Sequence, residues 1–550
     1  MKSKFYTLSP ISFSLFFFFL FYFSLSVNAQ EWTWMKGSNT ANELGVYGTQ
    51  GMEDPANTPG ARNGPNMWSA GGSLWVFGGY GTDADENSGS FNDLWQYNIS
   101  TNNWTWMRGA DTLNSIGSYG APGVPDPANE PGPRIRSATW TDGDGNLWMH
   151  GGLLVSSGRY SDLWKYDVST NEWTWIHGAD VLDMTGSYGT MGTAAPDNAP
   201  GARHAAVYWK DQEGNFWMYG GFGFGVDPGT SGWLADLWKY DLSSGEWTWV
   251  NGIDTINAPV IYGEIGVPSP DAQPGGRGSS VGWTGPDGDL WLFGGIGTGR
   301  RNDLWKYDIT TNEWTWVKGS NETVQSGTVN VDDPTMPLPE DTPGARNGQT
   351  GVTDLNGHLW LFGGWGNPAF EGEQGFLNDT WRYEVATDLW YYINGELALA
   401  GNTGTFGTQG TASPDNAPPS LASPASVLDE EGSIWLFGGN NSNARQNALW
   451  KLSGGILIVV DVENLDTQAE NRIEVYPNPA SNRLFVDLAD DRQLGNNAQI
   501  RILDAHGRLL MQEQWVHRSQ EVNVAGIPAG NYVLLVELDG TTYSKKIIKQ

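Results

Sequence analysis

Five arginines and five aspartates recur at fixed places in this chain, and they are the first candidates for chemistry. Arg62, Arg134, Arg203, Arg277 and Arg346 each close a P-G-x-R stretch, and Asp93, Asp162, Asp236, Asp303 and Asp379 each open a segment such as D-L-W-K-Y-D. Five guanidinium groups gathered about one axis would form an anion site, whereas five Arg–Asp pairs would be structural. A sixth copy of the pattern separates the two readings, because Leu421 and Ala448 stand at its Arg and Asp positions. Deleting one partner of a buried pair strands a charge at a cost of several kcal/mol, while replacing both with apolar groups is nearly neutral. The joint loss therefore assigns the ten residues to structural ion pairs.

Aromatic side chains are the second resource. The chain has 30 tryptophans, and in a secreted protein such abundance suggests stacking on a ligand. Nearly all of them recur at fixed repeat positions and are read as packing. Trp233 and Trp365 fall outside the repeat, in segments that also carry Phe222, Phe224 and Phe370. These five are the candidate ligand-binding residues.

Support for catalysis is thin. His506 and His517 lie near the C-terminus, and His150, His177, His204 and His358 occupy different strand or turn positions without ligand spacing. The chain has no cysteine, which removes thiol nucleophiles, thiolate metal sites and disulfides. Asp54, Asp126, Asp197, Asp332 and Asp333 lie in loops where carboxylates can hold Ca²⁺, but prolines flank or adjoin them and they read as turns. No catalytic residue, metal ligand or cofactor is assigned. Ca²⁺ on these acids is the weaker reading, and a carbohydrate-active enzyme using acids of the long loops is the alternative function.

The elements that must position these residues follow from an internal repeat. Glycine doublets at 78–79, 151–152, 220–221, 294–295, 363–364 and 438–439 are spaced 69 to 75 residues apart, a length that suits four strands and their connections. In the first unit, period-two alternation predicts strands from Pro59–Arg62 to about Ala70, Leu74 to Phe77, Asp93 to Ile99 and Trp104 to Arg108. The last unit has a third strand, Ala448 to Leu452, but no W-T-W segment after it, and the segment Glu31 to Gly37 is a fourth strand with no unit before it. Pairing these two closes the array and removes two exposed sheet edges.

With six Gly doublets and five Tyr/Trp sets in register (Tyr97/Trp104, Tyr166/Trp173, Tyr240/Trp247, Tyr307/Trp314, Tyr383/Trp390), residues 31–453 resemble the kelch family. The resemblance implies a β-propeller used mostly for binding, here with six blades closed by the N-terminal strand. This unit is longer than the usual kelch repeat, and Leu452 replaces the sixth Tyr. The links between units are nearly constant, Gly37 to Pro59, Gly109 to Pro131, Gly178 to Pro200 and Gly252 to Pro274 each being 22 residues apart. Four contain Y-G-x-x-G at Tyr47, Tyr119, Tyr188 and Tyr262, and Phe406 begins a fifth version. Fixed length argues for order. The end of the molecule carrying these links is the expected recognition surface, since the opposite turns are short.

Residues 1–29 read as a cleavable signal peptide, with Lys2 and Lys4 before an apolar run from Ile11 to Val27 and a small residue at Ala29; no transmembrane span is expected in the mature chain. Residues 30–453 are the expected propeller, 454–471 a linker, and 472–550 a small β-sandwich. The tail resembles the type A C-terminal sorting domain of the type IX secretion system through Y-P-N-P at Tyr476 to Pro479, G-N-Y at Gly530 to Tyr532 and the terminal K-K-I-I-K. That resemblance implies handling by the type IX machinery and a secreted or outer-surface location. A formal charge of −32 excludes nucleic acid as a partner. The combined expectation is an all-β, exported, non-catalytic module that binds a glycan or a protein.

Overall fold

The computed structural model describes residues 30–453, apart from 84, 331–332, 335, 370–371, 399–402 and 443, and within the tail residues 473–477, 481–488, 498–503, 509–515, 519–525, 527, 530–538 and 541–549. The expected signal peptide and linker, Phe370 and Asp332 lie outside the described residues. Every regular element described is a β-strand, and the strands form many small antiparallel sheets.

Six of these sheets repeat one plan. In the first, Asn66–Ala70, Ser73–Phe77, Leu94–Asn98 and Asn103–Arg108 lie side by side in chain order. Ser73–Phe77 is buried at every position because neighbouring sheets cover both of its faces. The inner strands of the other five are Ala138–Thr141, Val207–Lys210, Val281–Thr284, Thr350–Thr353 and Ala425–Leu428. Each inner strand lies beside those of the preceding and following sheets, and that of the sixth sheet lies beside that of the first. The sixth sheet has three strands from the end of the repeat region, Ala425–Leu428, Ile434–Phe437 and Leu449–Leu452, and takes Trp32–Lys36 as its fourth. Trp32 faces Leu452, Thr33 faces Lys451 and Trp34 faces Trp450. The amide of Asn416 donates to the Trp32 carbonyl at 2.8 Å, as Asn57 does to Trp104 at 3.1 Å in the first sheet.

The inner strand is not continuous from Arg62 to Ala70, as its alternation predicts. It breaks at Gly64, where the backbone turns left-handed (φ 61°), into Arg62–Asn63 and Asn66–Ala70. The same turn falls on Arg136, Ala205, Ser279, Gly348 and Ser423, with φ between 51° and 67°. Four of these are not glycine, so the turn leaves no residue signature. Its purpose lies in the hydrogen bonds. The Gly64 N–H donates to the Ser423 carbonyl (3.0 Å), Arg136 to Gly64 (3.0 Å), Ala205 to Arg136 (2.9 Å), Ser279 to Ala205 (2.8 Å), Gly348 to Ser279 (2.9 Å) and Ser423 to Gly348 (2.6 Å). The six bonds form a cycle that returns to its starting residue.

The glycine doublets make a second series of bonds between sheets. Gly79 N–H donates to the Arg134 carbonyl of the next sheet at 3.0 Å, and Gly439 of the sixth sheet donates to Arg62 of the first at 2.9 Å. Gly78 has φ 65°, and a Cβ there would meet the Arg134 carbonyl oxygen at 2.5 Å. Left-handed backbone and close approach together require glycine at that position.

Aromatic rings fill the space between sheets. Phe77 packs edge-on against Trp173, Tyr219 against Trp314, Phe293 against Trp390 and Phe362 against Trp32, and Phe437 meets Trp104 at a tilt, with centroids 5.3 to 5.8 Å apart. Burying one tryptophan removes about 150 to 250 Å² from water, worth roughly 4 to 6 kcal/mol as an upper bound. One position in this series is polar: His150 packs on Trp247 at 5.4 Å.

In the tail, Ile473–Tyr476, Arg483–Leu488 and Ser519–Asn523 form one sheet, and Leu509–Gln514, Gln499–Leu503, Gly530–Leu538 and Thr541–Lys549 form another. Leu484, Val486 and Val522 of the first share one apolar cluster with Ile500, Ile502, Leu534 and Val536 of the second.

Candidate binding surface

Each template arginine, on a short strand in three of the five sheets (Arg62–Asn63, Arg203–His204 and Arg346–Asn347), lies at the end of the inner strand where the long links and the connections between second and third strands also emerge. Arg62 is fully buried. Its Nη1 and Nη2 donate to Asp93 Oδ1 and Oδ2 at 2.7 and 2.9 Å, its Nε to the Gly60 carbonyl at 2.9 Å, and Nη1 also to Gly78 at 2.7 Å. The pairs Arg134–Asp162, Arg203–Asp236, Arg277–Asp303 and Arg346–Asp379 have the same two-pronged geometry, with shortest contacts between 2.5 and 2.7 Å. Burial alone would raise the Asp236 pKa, but the Arg203 guanidinium outweighs it and holds the carboxyl below the usual range.

Further members of these networks were not assigned to them in the sequence: an indole in all five and a tyrosine in four. Tyr47, from the preceding link, donates its hydroxyl to Asp93 Oδ2 at 2.8 Å, and Trp95 Nε1 donates to the same oxygen at 2.7 Å. Tyr119, Tyr188 and Tyr262 do the same for Asp162, Asp236 and Asp303 at 2.6 to 2.9 Å. The Y-G-x-x-G segments therefore tie four links to the charge pairs of their own sheets, while the fifth sheet, with Val329 at that place, keeps its pair without a tyrosine. In the sixth sheet, where Leu421 and Ala448 replace the charges, Phe406 replaces the tyrosine. It keeps the same ring packing, 4.9 Å from Trp450 and 5.1 Å from Trp34, against 4.9 and 5.1 Å for Tyr47 with Trp95 and Trp106. The joint loss of carboxylate and guanidinium in the sixth sheet was the available sequence signal.

The aromatic candidates do not gather at one point. Phe222 and Phe224 lie on Phe222–Phe224 and Trp233 on Ser231–Trp233, two strands of a hairpin that pairs with Arg203–His204. Phe222 and Trp233 are cross-strand partners and pack edge to face at 4.9 Å, both half-buried. Arg159 lies over the Phe222 ring at 4.8 Å. Trp365 belongs to the fifth sheet, where Arg300 covers one face of its ring at 3.7 Å and is itself held by Asn347 and Gln374. A stacking platform at Trp365 has that face taken, which the sequence reading did not foresee.

Asp54 and Asp126 accept from the N–H two residues on, Ala56 and Ala128, at 2.8 Å, the geometry of a turn. Among the described residues no group of three or more His, Asp or Glu could hold a metal ion. The histidines are dispersed: His358 contacts Asp354 at 2.9 Å and His177 the Pro196 carbonyl at 3.3 Å. Burial, with Arg136 and Arg159 nearby, pushes the His204 pKa down to about 3, and Nδ1 is buried without a partner.

Comparison with known proteins adds the export route. Residues 474–550 match the family described as the secretion system C-terminal sorting domain. The tail carries a sorting domain. This marks the chain as a product of type IX secretion, found at the cell surface or outside the cell. No kelch-repeat family is among those matched. The chain is also similar to "Multiple epidermal growth factor-like domains protein 8" of Homo sapiens, 29% identical over 194 residues, and to its Rattus norvegicus counterpart, 28% identical over 188 residues. Each alignment spans 34% of this chain and 5% of the relative. No helix of the described residues is long and apolar enough to cross a membrane, which says nothing of β-barrels.

Proposed function

We propose that residues 30–453 form a closed six-bladed kelch-like propeller that binds a glycan or a protein, delivered by the sorting domain. The cyclic hydrogen bonds through Gly64, Arg136, Ala205, Ser279, Gly348 and Ser423 support closure, as does the pairing of Trp32–Lys36 with Leu449–Leu452. Complete pairing leaves binding to the end where links and hairpins emerge. The observation that carries the binding reading is the half-buried Phe222–Trp233 pair on an ordered hairpin. The structural ion pairs take no part in binding in this reading, because each guanidinium is buried and held two-pronged by its own aspartate.

A glycan-array screen of the secreted chain tests this. Trp233→Ala is expected to weaken a positive signal about threefold to tenfold, the worth of one aromatic contact, while Trp365→Ala changes little because Arg300 occupies its ring. Turnover of a polysaccharide that survives Trp233→Ala and disappears on altering loop carboxylates such as Asp126 would replace binding with catalysis.

A further inference from the structure

The six inner strands together line a cavity of about 490 Å³. Its lining contains no Asp or Glu, although the chain has 62 acids against 30 Lys and Arg. It contains two cations, Lys210 and Arg136. Lys210 is exposed, and its Nζ donates to the Thr141 carbonyl at 3.0 Å.

Arg136 is different. It occupies one of the six left-handed turn positions, where the other sheets carry Gly, Ala or Ser. Its side chain extends across Gly64 of the first sheet: a Cβ on that glycine would lie 3.0 Å from Arg136 Cγ and 3.4 Å from Nε. Nε is buried without a hydrogen-bond partner. No carboxylate offsets this burial, which pushes the Arg136 pKa below the ordinary guanidinium value. The template arginines of the same sheets are all paired, so an unpaired one in a strained turn has no structural role comparable to theirs.

The groups around it are neutral hydrogen-bonding ones. Ser279 and Ser423 hold two other positions of the cyclic series, each two steps from Arg136, and Ser280, Gln349 and Thr350 also line the cavity. Gln349 is buried, its Nε2 donates to the Phe293 carbonyl at 3.0 Å, and its Oε1 has no partner. An arginine without a carboxylate partner, in a cavity lined by hydroxyls and free of acids, asks for a ligand that has an anionic group and hydroxyls. The guanidinium fork suits a carboxylate, and the volume falls in the usual range for small-molecule sites.

We propose that this cavity binds a sugar acid of the hexuronate type, its carboxylate on Arg136 and its hydroxyls on the serine and threonine side chains. The site is distinct from the Phe222–Trp233 hairpin, so either can fail without the other.

Titration calorimetry of the full secreted chain with sodium glucuronate, glucose and sodium acetate tests the proposal. Glucuronate is expected to bind one per chain, with glucose and acetate at least about tenfold weaker. Arg136→Ser and Arg136→Gly place residues already found at this turn in other sheets and should fold; both are expected to lose about tenfold or more in glucuronate affinity, while Trp233→Ala keeps it. A glucuronate disaccharide that binds more tightly than the monosaccharide assigns a chain end, and the reverse assigns the free acid; either upholds the proposal. Equal affinity for glucose or acetate, unchanged affinity in both Arg136 variants, or no binding at about 20 mM glucuronate would overturn it.

Discussion

Asp162→Ala is expected to destabilise the repeat domain by about 3 to 5 kcal/mol, the cost of leaving a buried charge without its partner. Arg134 and Asp162 are both fully buried, and the carboxylate accepts from Nη1 at 2.5 Å, Nη2 at 2.8 Å, the Tyr119 hydroxyl at 2.6 Å and Trp164 Nε1 at 2.8 Å. The single change orphans four donors. The sixth sheet gives the compensating set, because Leu421, Ala448 and Phe406 occupy the same places without any charge. The triple variant Arg134→Leu, Asp162→Ala, Tyr119→Phe should therefore recover most of the loss, leaving an unpaired indole N–H, as at Trp450, and the Gly132 carbonyl that Arg134 Nε serves. Denaturant unfolding of parent, single and triple variants provides the measurement. A triple variant as unstable as the single one would show that the network is valued for more than charge balance.

His150→Phe is expected to act in the opposite direction and to grow with acidity. His150 is 1% exposed, and neither ring nitrogen has a partner. Four of the six equivalent positions hold phenylalanine, Phe77, Phe293, Phe362 and Phe437, all packed on an indole of the neighbouring sheet. Removing two unsatisfied nitrogens is worth about 1 to 3 kcal/mol at neutral pH. Burial, assisted by the positive charge of Arg203, pushes the His150 pKa down to about 3, against an ordinary value near 6.5 when unfolded. Between these values the unfolded chain binds the extra proton, so stability falls as pH drops from 6.5 towards 3. By pH 4 this amounts to a loss on the order of 3 kcal/mol, which the phenylalanine variant avoids. Melting temperatures of both proteins at pH 7 and pH 4 should diverge on acidification; parallel curves would place a solvated histidine there.

What was legible in the sequence and what was not divide along physical lines. The paired charges could be read because one sheet lacks both, and the closing strand because one segment lacked a partner at each end of the array. The tyrosine hydroxyls belong to the same network, but a Tyr-to-Phe change in a loop is informative only once the loop is known to touch the charge pair. The left-handed turns were invisible because Arg136, Ala205, Ser279 and Ser423 adopt them through hydrogen bonds to neighbouring sheets, not through local preference. For the same reason nothing in the sequence set Arg136 apart. The covering of Trp365 by Arg300 joins a residue of the fourth sheet to one of the fifth, and such contacts leave no mark on spacing.

The proposed cyclic closure by the N-terminal strand carries the rest, and an introduced disulfide tests it most directly, since the chain has no cysteine of its own. Thr33 and Lys451 are directly opposed across the closing pair, within the reach of a disulfide for facing antiparallel residues. Oxidation of Thr33→Cys/Lys451→Cys should consume both thiols within one chain and link the peptide containing residue 33 to that containing residue 451. The pair Thr33→Cys/Lys239→Cys, which uses the matching position of the third sheet, should keep both thiols free. Free thiols in the first variant, or a bond in the second, would contradict closure.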